Sequence, residues 1–147
     1  MSVEIRPIAK GDHAEWRRLW TAYLEFYKTK VPEQVYETSW QRLFTEGEFE
    51  PRGFIAFVDG KAVGLVHYLY HRSMWSPEGN CYLQDLFTDA SARGKGVGAA
   101  LIEAVRQAAA ERGVTNVYWM TEETNDTARA LYDRVSRRTG FIEYDLL

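Results

Sequence analysis

Residues 91–101, Ser-Ala-Arg-Gly-Lys-Gly-Val-Gly-Ala-Ala-Leu, set three glycines and two cations directly ahead of an alanine-rich apolar run. The first amides of a helix have no internal partner and carry the positive end of its dipole. Glycines let a backbone approach a ligand because no Cβ intervenes. With Arg93 and Lys95 adding charge, this loop is suited to a phosphate or pyrophosphate. The Walker pattern G-x-x-x-x-G-K-[S/T] is absent. Gly-Lys-Gly-Val-Gly-Ala does match G-x-G-x-x-A, but a dinucleotide fold needs several further βα units, and the chain ends too soon for them. The plain alternative is a tight turn that lets helix and strand pack closely. A second chemical signal is Asp85, a carboxylate inside the otherwise apolar run Cys-Tyr-Leu-Gln-Asp-Leu-Phe-Thr at 81–88, where an unpaired charge is costly.

The elements that must position these groups follow from spacing. Val97, Ala100, Leu101, Ala104, Val105, Ala108 and Ala109 recur at i, i+3, i+4, which predicts a helix from Gly96 to a cap at Gly113. Strands are expected at 3–8, 53–58, 62–71, 81–88, 114–121 and 141–147, with Asp59-Gly60 as a hairpin turn. Trp16, Leu19, Trp20, Tyr23 and Tyr27 predict a helix over 13–28, with Asp12 and Glu15 as a capping-box relative. Pro32 and Glu33 open a second helix, and Asn125 caps one whose inner face is Ala128, Leu131, Tyr132 and Val135. The chain is thus α/β, with a mostly antiparallel first part and a β-loop-helix-β unit in its second half.

The whole chain bounds the reading. Its 147 residues suit one domain, 1–147. A net charge of −3 argues against a nucleic-acid partner and slightly favours a cationic substrate. No apolar run reaches the ~18 residues of a membrane span, and the N-terminus lacks a secretory core. One cysteine, Cys81, forms no internal disulfide, which suggests the cytoplasm. His13, His67 and His71 with that cysteine lack the spacing of a zinc site, so no metal is expected. His67 and His71 share a strand face, where a cross-strand structural role is favoured over lining an acceptor site.

Arg93-Gly94-Lys95-Gly96-Val97-Gly98 resembles the R/Q-x-x-G-x-G/A pyrophosphate loop of the GNAT superfamily of acetyl-coenzyme A-dependent N-acetyltransferases. Tyr-Leu-Gln-Asp-Leu-Phe-Thr-Asp resembles that family's fourth strand entering its loop, and Asn125 with Tyr132 resembles its next motif, an asparagine followed seven residues later by a helical tyrosine. Element order over 3–147 agrees. "YLQDLF" and "LYDRV" are most similar to the polyamine and diamine acetyltransferases and their histone- and lysine-acetylating relatives.

The resemblance implies a GNAT fold: a mixed, mostly antiparallel twisted sheet flanked by helices, split between the fourth and fifth strands to admit coenzyme A. It implies acetyl-CoA as cosubstrate, with amides of Arg93, Gly94, Lys95, Gly96, Val97 and Gly98 on the pyrophosphate. It implies Leu86, Phe87 and Thr88 along the pantetheine, and Asn125 as helix cap, pantetheine partner or both. Tyr132 takes the place of the residue that protonates the leaving thiolate. The polyamine branch carries a glutamate before the strand aspartate. Here Gln84 stands there, an amide that accepts no proton, which leaves Asp85, Glu122 and Glu123 as candidate bases, Asp85 foremost. The expected activity is acetyl transfer to a primary amine, a small polyamine, diamine or lysine-like amine first and a protein lysine second. The rival is a non-catalytic acyl-CoA-binding or sensing module, which Gln84 favours and Tyr132 opposes. The aromatic stripe Tyr23, Phe26, Tyr27, Tyr36 and Trp40, with Glu25 or Glu37, is the expected acceptor side. Only one strand follows the Tyr132 helix, which suggests a homodimer that completes its sheet through C-terminal strands.

Overall fold

The computed structural model describes residues 2–147. Its elements run β1 (Val3–Pro7), α1 (His13–Phe26), α2 (Glu33–Arg42), β2 (Arg52–Val58), β3 (Lys61–His71), β4 (Asn80–Thr88), α3 (Val97–Glu111), β5 (Val117–Tyr118) and α4 (Asp126–Val135). The five strands form one sheet in sequence order, antiparallel through β4 and parallel between β4 and β5.

Local chemistry explains the joints. Asp59 and Gly60 both have positive φ, 51° and 78°, as a two-residue hairpin between right-twisted strands requires. Gly113, at φ 77°, ends α3 in the left-handed conformation. α3 buries Val97, Leu101, Ile102, Val105 and Ala109 against one face of the sheet, meeting Val66, Tyr68, Cys81 and Leu83. On the other face, Trp16, Leu19, Leu24 and Tyr36 of α1 and α2 cover Ile55, Ala62 and Leu65.

The β3–β4 pairing slips between His67↔Asp85 and Tyr68↔Leu83, so Gln84 is an extra, bulged residue. The bulge lets Cys81, Leu83 and Leu86 all pack toward α3, while Asp85 and Phe87 turn toward α1. β4 and β5 pair only through Cys81↔Val117 and Tyr82↔Tyr118. Beyond Tyr82 the two chains part, and β4 from Leu83 onward has an open edge.

Three sequence expectations change. Asp12 does not cap α1. Its carboxylate instead accepts from Arg6 Nη1 and Nη2 at 2.7 and 2.8 Å and from the Ala9 amide at 2.8 Å. The strand expected at 114–121 contracts to Val117–Tyr118, because the chain leaves its only neighbour there. The strand expected at 141–147 does not form: the segment finds no strand to pair with, and Phe141 and Tyr144 are 87 % and 88 % exposed.

Candidate active site

The open edge of β4, the loop after it and α4 enclose a cleft of about 370 Å³. Nine of the ten residues expected at the coenzyme line it: Leu86, Phe87, Thr88, Arg93, Gly94, Gly96, Val97, Gly98 and Asn125. Lys95 is exposed and not among them. Tyr132 lines it too, as do Tyr23 of α1 and Tyr27 at its C-terminal end, both from the aromatic stripe expected on the acceptor side.

Each wall has a physical origin. Gly94 and Gly96 adopt φ of 79° and 80°, which disfavours any side chain, and a Cβ at either would meet no heavy atom within 4 Å. At these two positions glycine serves the conformation of the loop and an open approach, not a crowding neighbour. Gly96 is the N-cap of α3, whose first residues Val97, Gly98 and Ala99 line the cleft with no side-chain cap to occupy their amides. The Asp89 amide donates to the Val63 carbonyl at 2.7 Å. By the alternation of an antiparallel ladder, Phe87 and Asp85 also bond toward β3, which leaves the main-chain groups of Leu86 and Thr88 facing the open edge. These residues fit an extended pantetheine with a pyrophosphate at the helix start.

Tyr132 packs against Trp119, ring centroids 5.4 Å apart, and burial pushes its hydroxyl up to about 12. A thiol titrates near ~8.5 in water, so proton transfer from this phenol to a solvated thiolate runs uphill. Burial acts on sulfur in the same direction: it raises the Cys81 thiol of this chain to about 11. A thiolate leaving inside the cleft is therefore better matched to Tyr132 than one in water. Asn125 accepts the Ala128 amide at 3.4 Å, the cap expected of it.

Asp85 stands outside the cleft lining but is tied to it. The Tyr23 hydroxyl donates to Asp85 Oδ1 at 2.9 Å. His67, its cross-strand partner, places Nδ1 3.0 Å from Oδ2. His67 Nε2 in turn lies 2.9 Å from Nε1 of Trp16, which is fully buried. Burial and the Asp85 charge raise the Tyr23 hydroxyl far above the ordinary phenol value, and Tyr27 is raised by burial and by the charges of Glu122 and Asp85. Gln84 lies exposed on the bulge, out of this network. Glu122 and Glu123 are exposed; Glu123 faces Arg138 at 3.8 Å. His71 bonds the Tyr118 hydroxyl at 2.7 Å. Among the described residues no cluster able to hold a metal occurs.

Sequence reading missed the Trp16–His67–Asp85–Tyr23 chain as a unit. Its only signal was the placement of Asp85 in an apolar strand, since the four residues come from three elements, α1, β3 and β4, with Trp16 and His67 51 positions apart.

The acetyltransferase (GNAT) family model matches residues 14–136. A D-amino-acid N-acetyltransferase of Saccharomyces cerevisiae is 37% identical over 97% of this chain and 89% of its own length. A thialysine N-epsilon-acetyltransferase of Caenorhabditis elegans is 29% identical over 56% of this chain and 51% of its own. The fold matches a ribosomal-protein-alanine N-acetyltransferase from Brucella melitensis with TM-score 0.81 at 19% identity, over 100% and 99% of the two chains. AAC(6')-Iy, solved with a coenzyme A bisubstrate analogue, also gives 0.81 at 19% identity, over 99% and 100%. The chain belongs to the GNAT acetyltransferase family and is an acetyl-CoA-dependent N-acetyltransferase.

Proposed function

We propose that this enzyme acetylates a cationic primary amine of small size, a diamine, polyamine or lysine-like amine, with a protein lysine second. The observation that carries this reading is Asp85, a carboxylate bonded to Tyr23 of the cleft wall and facing no arginine or lysine ion-pair partner among the described residues. Its charge is free to receive an ammonium, and Tyr23 and Tyr27 offer ring faces to the same cation. Acetyl-CoA supplies the acetyl thioester. Amides of Arg93, Gly94, Lys95, Gly96, Val97 and Gly98 bind its pyrophosphate, and Leu86, Phe87, Thr88 and Asn125 hold the pantetheine.

An alkylamine is under ~0.1% neutral at pH 7. Only the neutral amine has a lone pair for the thioester carbon, so the ammonium first gives one proton to solvent water. As the nitrogen bonds to the carbon it becomes far more acidic, and Asp85, directly or through water, takes the second proton. Tyr132 donates its hydroxyl proton to the sulfur as the carbon–sulfur bond breaks. Gln84 supports the rival, a non-catalytic acyl-CoA module, only by its identity; it lies outside the site.

We place the protein in the cytoplasm, as one domain over 1–147. No helix of the described residues is long and apolar enough to cross a membrane. A homodimer is supported by the exposed apolar tail at 141–147 and the short fifth strand. A mass of one chain by light scattering at micromolar concentration would exclude it.

The test is thiol release from acetyl-CoA over spermidine, spermine, putrescine, lysine, thialysine, a histone-tail peptide and D-amino acids, the last because of the yeast relative's named substrate. The reading expects one cationic amine to be preferred, and Asp85→Asn to lower its kcat/KM by about 10². A preference for uncharged side chains, unaffected by Asp85→Asn, refutes it.

A further inference from the structure

We propose that Trp16 and His67 form a tautomer lock that leaves the carboxylate of Asp85 without a cationic partner in the acceptor site. This rests on Asp85 serving that site. An indole N–H only donates, so His67 Nε2, 2.9 Å from Trp16 Nε1, must be the acceptor. The imidazole proton then sits on Nδ1 and donates to Asp85 Oδ2 at 3.0 Å. A second proton on His67 would need Nε2, and would leave the Trp16 N–H without an acceptor at a fully buried position. Asp85 thus accepts from two neutral donors, His67 and Tyr23, and neither cancels its charge. An imidazolium there would turn the site from an anion with two hydrogen bonds into a neutral ion pair, with little left for a substrate ammonium.

Among the described residues no lysine or arginine forms an ion pair with Asp85. From α1, Trp16, Trp20 and Tyr23 face the His67–Asp85 pair, the Trp20 ring 5.3 Å from the imidazole. From β2, Gly53 lies against the ring edge, where a Cβ would come within 3.3 Å of His67 Cδ2. Tyr27 and Tyr82 feel the charge of Asp85, and Glu122 and Glu143 are the further carboxylates that reach those two phenols. His13 stacks on the far side of Trp16, centroids 6.3 Å apart. His67 is thus a positioning residue: it acts through Asp85, and the bulge at Gln84 brings the pair into register.

The test is long-range proton–nitrogen NMR of the imidazoles, with amine kinetics, from about pH 5.5 to about pH 8, the range in which an unconstrained histidine titrates. The wild-type protein should show His67 with a pyrrole-type Nδ1 and a pyridine-type Nε2 throughout. Trp16→Phe should let His67 acquire a second proton at the acidic end. There its KM for a cationic amine should rise about tenfold relative to wild type, and its kcat should fall as well, because an imidazolium beside Asp85 weakens it as a proton acceptor. His67→Gln, which keeps one acceptor for Trp16 and one donor for Asp85, should track the wild-type KM at every pH. A wild-type Nε2–H tautomer, or a wild-type imidazolium in this range, overturns the lock. So does a Trp16→Phe KM that follows wild type throughout. If Trp16→Phe does not fold, the wild-type spectrum and His67→Gln decide alone. A confirmed lock with no effect of Asp85→Asn on any amine would sink the acceptor-site reading and leave the tautomer assignment standing.

Discussion

Gly98 is the position where one methyl group should separate activity from stability. A Cβ built there comes within 2.9 Å of Leu131 Cδ2, against an unstrained carbon–carbon contact of about 3.5–4.0 Å. Something must yield by about 0.6–1 Å. α3 cannot: its inner face is locked in the core by Val97, Leu101 and Val105. The Leu131 side chain and α4, none of whose residues is fully buried, can. Gly98→Ala should therefore turn Leu131 and push α4 outward, carrying Tyr132 with it. A displacement near 1 Å at a reacting group costs up to about 10² in rate. Stability should change by less than about 1 kcal/mol, since the gain in helix propensity offsets the crowding. The assay is thiol release at saturating acetyl-CoA beside a thermal melt. We expect kcat to fall about 10- to 100-fold with a near-constant Tm. The family pattern admits alanine at this place, so the cost is assigned to Leu131 and not to the loop. Gly98→Ala in a Leu131→Ala background should then lose no more than about threefold relative to Leu131→Ala alone. Equal losses in both backgrounds would refute the reasoning.

Two further outcomes are expected. Tyr132→Phe should lower turnover by about 10²–10⁴ while coenzyme binding and Tm are kept, because the hydroxyl has no hydrogen-bond partner among the described residues whose loss could unsettle the fold; unchanged turnover in a stopped assay would remove Tyr132 from the mechanism. Arg6, the Ala9 amide and the Arg6 charge hold the Asp12 carboxyl below its usual range against the opposing effect of burial. A depressed folded value means stability that is present above the unfolded value near ~3.9 and lost as pH falls through the folded one. Asp12→Asn should cost about 1–2 kcal/mol at pH 7, the lower part of the range for charged hydrogen bonds because Arg6 is partly solvated. The urea midpoints of the two proteins should converge below about pH 4; a constant gap down to pH 2 would discredit the assignment.

How much of this was legible in sequence depended on how local the cause was. α3 was, because its burial repeats every third and fourth residue, and the pyrophosphate loop was, because glycine conformation is a property of the residue itself. The Asp59-Gly60 turn was readable for the same reason. Asp85 was visible as a misfit, a carboxylate in an apolar strand. Its partners were not, since Trp16 and His67 look like ordinary core residues until the sheet brings α1 over β3. Gln84 read as a departure from a pattern, and only the register shift shows it lifted out of the site. The tail misled because alternation of apolar residues in 141–147 signals what a strand could pair with, not that a neighbour exists.

That no residue of α4 is fully buried has a consequence for how the coenzyme is held. Most of the cleft wall belongs to α1, the sheet, the glycine loop and α3, which open only with the whole fold. The remainder, with Asn125, Leu131 and Tyr132, rides on a helix of low local stability, and such units undock at free energies far below the global one. The observed affinity for the coenzyme is then the intrinsic one scaled by the fraction of molecules with α4 docked. Bound coenzyme in turn fastens the helix by mass action. Amide exchange over 126–135 should therefore slow on ligation more than anywhere else in the chain, which makes this helix a reporter of occupancy.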